Sequence, residues 1–190
     1  MNKPLKAHIW ERETNEHYVE PSWCSARLLE EEEFNGPIWD PCCGFGTIIL
    51  NAMARGYGTY ASDIIARRAG ICDIIGDFLG LAYPGSGFDI ICNPPFNIAD
   101  RFALHALGSG ASKVAMIFPT ARLNAAHWLR GIPLRRVWLM TPRPSMPPGH
   151  VIAAGEKPGG GKMDFCWLIW ERGYAGTPEL RWLKRDTRHA

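Results

Sequence analysis

The sequence predicts an α/β fold, a doubly wound and mostly parallel seven-stranded sheet with an antiparallel hairpin at one edge. Three observations carry this. Short apolar runs alternate with segments of helical period, the pattern of a parallel sheet covered on both faces. A glycine turn, "PCCGFG", joins the first clear run to a helical segment. The last two runs have no helix between them, which suits an antiparallel pair. With 190 residues, 46% of them hydrophobic and 21% charged, the chain can bury one sizeable core, and residues 1–190 are expected to form a single domain.

Each element follows in order. A helix begins near Ser22, and the acidic run Glu30 to Glu33 is expected to be its wet face. "GPIWD" (36–40) is the first strand, and "TIILNAMARG" the next helix, with Ile48, Ile49, Ala52 and Met53 on one face. "GTYASD" (58–63) is a strand closing in an acid. A weaker element lies around "ICDIIGDF", and "FDIIC" (88–92) is a further strand. A helix is expected from Ile98 to Leu107, a strand at "KVAMIFP" (113–119), a helix at "ARLNAAHWLRG", and strands at "RRVWLMT" and "DFCWLIWE" (164–171). Between those two runs a Pro- and Gly-rich loop spans 142–162, long enough to suggest a functional role. Its "GEKPGGGK" misses the phosphate-loop spacing, because Met163 stands where Ser or Thr belongs.

Composition narrows the partners. No stretch approaches the ~18 apolar residues of a membrane span, and "MNKPLKAHIW" lacks the apolar centre of a signal peptide, so a cytoplasmic protein is expected. Cys24, Cys42, Cys43, Cys72, Cys92 and Cys166 form no C-x-x-C pair. They read as reduced cysteines, and no metal site is expected. His105 and His127 stand alone and read as packing or surface residues. Residues 1–100 hold 7 Lys and Arg against 14 Asp and Glu, whereas residues 101–190 hold 14 against 5. The second half is where an anionic partner would dock.

In an open α/β sheet, ligands sit beyond the carboxyl ends of the strands. Gly44 and Gly46 lie in the turn after the first strand, where the backbone can fold tightly and approach a ligand. Asp63 closes the next strand, placed to accept hydrogen bonds from two hydroxyls of a ribose. Asp77 follows the third element and could accept from an adenine amino group. In "NPPF", the Asn93 side-chain oxygen and the Pro94 carbonyl can converge on one planar amino group, Pro95 restrains the turn, and Phe96 offers a face for stacking. The tetrapeptide reads as an amino-group clamp.

These residues, "DPCCGFG", Asp63, Asp77 and "NPPF" in that order, resemble the S-adenosylmethionine-dependent methyltransferases of exocyclic amino groups. The resemblance is nearest to the N6-adenine DNA methyltransferases, small phage and prophage forms among them. It implies a Rossmann-like fold and the cofactor S-adenosylmethionine. It also implies that Asp40, Pro41, Gly44, Gly46, Asp63, Asp77 and Asn93 face the cofactor. "YVEPSWCSARLL" resembles the stretch that cradles its methionine part, through Tyr18, Glu20 and Pro21. Asn93, Pro94, Pro95 and Phe96 would carry catalysis.

The basic half suits nucleic acid, DNA before RNA, through Arg122, the loop residues Arg143, Ser145 and Met146, and Lys184 and Arg185 in the tail 181–190. Arg130, Arg135 and Arg136 add to that charge. The chain has no room for the large target-recognition domain of many DNA methyltransferases. Recognition would fall to the loop and tail, to a partner, or to a second copy of the chain. Three other readings stay open: methylation of RNA base amino groups, methylation of protein glutamine, and a catalytically idle binding subunit.

Overall fold

The computed structural model describes residues 17–83, 85–156 and 161–186. Among them the chain runs through α1 (Ser22–Glu31), β1 (Ile38–Asp40), α2 (Thr47–Ala54), β2 (Thr59–Asp63), β3 (Ile74–Ile75) and β4 (Asp89–Cys92). It continues through α3 (Ala99–Gly108), β5 (Lys113–Pro119), β6 (Leu134–Thr141), α4 (Gly149–Ala153), β7 (Phe165–Glu171) and β8 (Glu179–Lys184). The strands form one sheet in the order β3-β2-β1-β4-β5-β7-β6-β8. Only β7 runs against its neighbours; β8 pairs parallel to β6. All strands but β7 therefore end at the same edge of the sheet. The order reverses between β1 and β4, and a crevice is expected there.

The two sheet faces bury different sets, as alternation along each strand requires. α1 and α2 cover Ile38, Ile91, Ala115, Ile117, Trp167 and Ile169. α3 covers Trp39, Ile90, Val114, Met116, Leu168 and Trp170 on the other face. Buried indoles need a partner for their N–H. That of Trp39 donates to Ser62 Oγ at 2.9 Å and that of Trp167 to the Cys24 carbonyl at 3.2 Å.

The α/β class and the mostly parallel sheet are as the sequence predicts; the five-residue α4 stands between the last two expected strands, where no helix is expected, and there are five further differences of detail. The sheet has eight strands, because part of the expected basic tail is β8; residues 187–190 of that tail lie outside the described residues. β7 sits inside β6 rather than at the edge. "ARLNAAHWLRG" is no α-helix but two 3-10 turns, Thr120–Arg122 and His127–Gly131. Asn124 is a weak helix former and Pro133 disfavours helix just before it, so Leu123, Trp128 and Leu129 reach the core from short turns. Met53 is 53% exposed, so α2 buries only Ile48, Ile49 and Ala52 of the expected face.

The fifth difference concerns the acidic run. Glu32 is 4% exposed and forms the centre of a buried cluster. It takes Lys113 Nζ at 3.3 Å, the Arg136 guanidinium, and the Trp138 indole N–H at 2.7 Å. Arg136 also meets Glu179, as do Arg135 and Arg181. Two cations of the second half, Lys113 and Arg136, are thus buried at the amino ends of β5 and β6, and Arg135 and Arg136 are held by acids rather than available to a phosphate.

Candidate active site

A cavity of about 370 Å³ opens at the carboxyl ends of β1, β2 and β4. Three stretches build it. The turn after β1 supplies Pro41, Cys42, Cys43 and Gly44; the ends of β2 and β3 supply Asp63 and Asp77; the turn after β4 supplies Asn93 and Pro95. The segment before α1 closes it with Tyr18 and Glu20.

The glycine turn works by backbone geometry. Gly44 and Gly46 have φ of 53° and 86°, the left-handed region that costs other residues ~1–2 kcal/mol. A Cβ on Gly46 would stand 2.7 Å from Ile71 Cγ2, and one on Gly44 would stand 2.6 Å from His17 Nε2. Asp63 braces this turn: Oδ2 accepts from Gly44 N at 2.8 Å and Oδ1 from Ile65 N at 3.1 Å. Each oxygen keeps a further acceptor site, so the buried carboxylate is both anchored and able to bind. Asp77 accepts from Leu79 N at 3.0 Å, capping the 3-10 turn Phe78–Gly80, and lines the cavity.

The amide orientation of Asn93 is dictated by its partners. Nδ2 donates to the Tyr18 carbonyl at 2.8 Å and to Glu20 Oε2 at 2.9 Å. Both partners are acceptors, so the NH₂ must face them, and Oδ1 is left as the acceptor of position 93. Glu20 is buried beside Asp40 and Cys24. Burial pushes its carboxyl up to about 7, while the hydrogen bond from Asn93 pulls the other way. Asp40 is likewise pushed well up by burial, with the Glu20 charge adding to it.

The expected site residues divide by position. Tyr18, Glu20, Pro41, Gly44, Asp63, Asp77, Asn93 and Pro95 converge on the cavity. Asp40 instead accepts from Cys42 N at 3.1 Å inside the turn, and Pro21 precedes α1. Gly46 stands at the start of α2. Pro94 is buried, and Phe96 leans on Phe165 with ring centroids 5.8 Å apart. Arg122 donates to the Phe96 carbonyl at 3.1 Å, next to the clamp. Arg143 pairs with Asp164 through two bonds of 2.7 and 3.0 Å, Ser145 is half-buried, and Met146 packs on the α1-side core. Lys184 and Arg185 are exposed at the end of β8.

Sequence reading missed His17, which sits between the two loops. Its ring would collide with a Cβ on either Gly44 or Gly149, and it meets Phe45 edge-on at 5.0 Å. Around it, Val19 N donates to the Pro147 carbonyl and Gly149 N to the His17 carbonyl, both at 2.9 Å. The only hint in the sequence was a Gly after "MPP" in the long loop. Among the described residues no group of three or more His, Cys, Asp or Glu could hold a metal ion, and no helix is long and apolar enough to cross a membrane.

No protein-family model matches the chain, and no curated protein matches it in sequence. Solved structures do resemble it. A putative class I S-adenosylmethionine-dependent methyltransferase from Listeria monocytogenes superposes with a TM-score of 0.56 at 12% identity, over 85% of this chain and 64% of that one. The 23S rRNA methyltransferase ErmE gives 0.52 at 14% identity, over 80% and 68%. Magnesium protoporphyrin IX methyltransferase from Synechocystis, solved with bound S-adenosylmethionine, gives 0.50 at 16% identity, over 77% and 74%. The chain thus spans just under two thirds of the length of the Listeria protein. At these identities the likeness establishes one thing: the chain has the Rossmann-like fold of class I S-adenosylmethionine-dependent methyltransferases.

Proposed function

We propose that the chain transfers a methyl group from S-adenosylmethionine to the exocyclic N6 amino group of adenine in DNA. The observation that carries this is the tethered amide of Asn93, whose NH₂ is occupied by Tyr18 and Glu20, leaving Oδ1 as an acceptor at the cavity wall. An acceptor held there suits a planar amino group, which has hydrogens to give.

The residues of the cavity fit the cofactor. Its wall carries three carboxyl groups, Glu20, Asp63 and Asp77, beside apolar Pro41, Ile48 and Ile64. That combination suits a cationic ligand with hydroxyls and an aromatic base. Asp63 would hold the ribose hydroxyls, Asp77 the adenine amino group, and Tyr18 and Glu20 the methionine part. When bound, the cofactor supplies an already activated methyl group. The protein's task is then alignment and charge placement. Asn93 Oδ1 and the Pro94 carbonyl accept the two hydrogens of the target nitrogen and favour the positive charge that grows on it during attack. These bonds strengthen toward the transition state, which is the condition for catalysis. A target in duplex DNA would first be flipped out of the stack.

The test offers DNA, RNA and protein in parallel with cofactor carrying a labelled methyl group, followed by digestion and separation of the products. Label in N6-methyladenine from DNA is the expected result. Label in RNA bases or in protein glutamine would replace the substrate, and no label in any arm would favour an idle binding subunit.

A further inference from the structure

We infer that the exposed face and carboxyl end of β8 are a seat for single-stranded DNA flanking the target, with Trp182 as a base-stacking platform, Lys184 on the same face as a phosphate contact, and Arg185 at the strand's end as a second. This rests on the DNA reading above and adds a surface to it.

Alternation gives β8 two unlike faces. On β8, Leu183 is buried under α1, whereas Leu180 and Trp182 point to the opposite face and are 56% and 59% exposed. Register sets Leu180 beside Val137 and Trp182 beside Leu139. A full helix after β5 could have covered this corner of the sheet. The chain has two short 3-10 turns there instead, and Leu123, Trp128 and Leu129 beside or within them pack on the same core as Leu134 and Leu139. An indole and a leucine are left in solvent on an edge strand.

Charge then selects the occupant. Lys184 and Arg185 end the same strand, exposed, and no described acid forms an ion pair with either. Their backbone is held: Arg27 Nε donates to the Lys184 carbonyl at 2.9 Å and Arg185 N to the Thr141 carbonyl at 2.8 Å. Both cations therefore stand at a fixed edge, Lys184 on the Trp182 face and Arg185, one residue on, on the Leu183 side toward Cys24. They share that edge with Arg122 and Asn93, because β4, β5, β6 and β8 all end there. From β4 to β8 is four strand spacings, about 19 Å at ~4.8 Å each. A strand whose target base lies at Asn93 can run past Arg122 and reach Trp182 within a few nucleotides. Cations that track a backbone beside an exposed aromatic are what single strands bind.

Deleting the tail would remove buried Leu183, so point variants of the full chain are the test. Binding of a fluorescent thymidine 15-mer, which has no amino group to methylate, is followed by anisotropy over a salt series. Trp182→Ala should weaken binding about 5- to 150-fold. Lys184→Ala with Arg185→Ala should flatten the plot of log affinity against log salt by roughly 1.4, near 0.7 per phosphate contact on a single strand. Cofactor affinity should not move in either variant. Unchanged oligomer binding in both variants overturns the proposal. So does a wild-type dimer that Trp182→Ala dissociates without affecting the oligomer, since a second copy would then be the occupant. Tighter binding of a uridine 15-mer overturns the choice of DNA. None of these results touches methyl transfer to adenine, which the labelled assay decides separately.

Discussion

Asn93 donates an amide hydrogen to Glu20 Oε2 at 2.9 Å, so the residue proposed to accept from the substrate is itself oriented by a buried acid. Asn93→Ala removes the acceptor, and methyl transfer should fall roughly 100- to 1,000-fold, as for loss of one transition-state hydrogen bond worth about 2.7–4 kcal/mol. From the tetrapeptide alone, Asp would serve nearly as well, since it keeps an acceptor oxygen. Here its second oxygen would face the Glu20 carboxyl and the Tyr18 carbonyl. Asn93→Asp should therefore be slower than wild type and regain activity as pH falls and a proton is shared. Single-turnover rates at pH 6 and 8 check both, and an alanine variant as fast as wild type sinks the proposed role.

Glu20 makes stability depend on pH. Its folded carboxyl titrates near 7 against an ordinary 4.5, with Asp40 and Cys24 buried beside it. Folding takes up a proton between those values. The contribution is whole below about pH 4.5 and is lost as pH rises through 7. Glu20→Gln keeps an acceptor for Asn93 but cannot ionise, so at pH 8 it should be more stable than wild type by on the order of 1–3 kcal/mol. The gap should close toward pH 5. Urea unfolding of both proteins across that range is the measurement, and parallel curves would refute it.

Glu32 anchors α1 to the sheet. Glu32→Ala leaves Lys113 and Arg136 buried without their carboxylate, a loss of about 3–5 kcal/mol. Glu32→Gln, still able to accept from the Trp138 indole, should lose less. Denaturant midpoints rank the three proteins, and an alanine variant within 1 kcal/mol of wild type, roughly the value of an exposed pair, would place the cluster in solvent.

Gly46→Ala tests the turn. A left-handed alanine costs ~1–2 kcal/mol, and its Cβ would press on Ile71. The expected outcome is a destabilised protein with weaker cofactor binding by calorimetry, whereas Gly56→Ala, with open space around it at φ 83°, should lose stability alone.

The parts of the fold and site that were legible in the sequence are those set locally. Gly44, Asp63 and Asn93 end strands whose apolar runs are plain, and strand ends on a parallel sheet must share an edge. What was not legible depended on distant partners. "ELRWLK" lacks strict alternation because Arg181 lies over the Trp138 ring and only Leu183 is buried, so β8 read as tail. Glu32 sits among three other acids, and nothing near it announces Lys113 or Arg136. His17 owes its place to two glycines more than a hundred residues apart.

β7 enters the sheet between β5 and β6, pairing Pro119 with Phe165 on one side and Leu139 with Cys166 on the other. For a chain made from its amino end, this imposes an order of assembly unlike the order of synthesis. β5 must wait with one edge open while residues 120–164 appear, and β6, made earlier than β7, must not take the place beside it. The connection between β6 and β7 also carries Pro147 and Gly149, which close over His17 and Val19 at the cavity. The backbone bonds that hold His17 and Val19, two residues of the cavity wall, are therefore made in the same late step that closes the sheet.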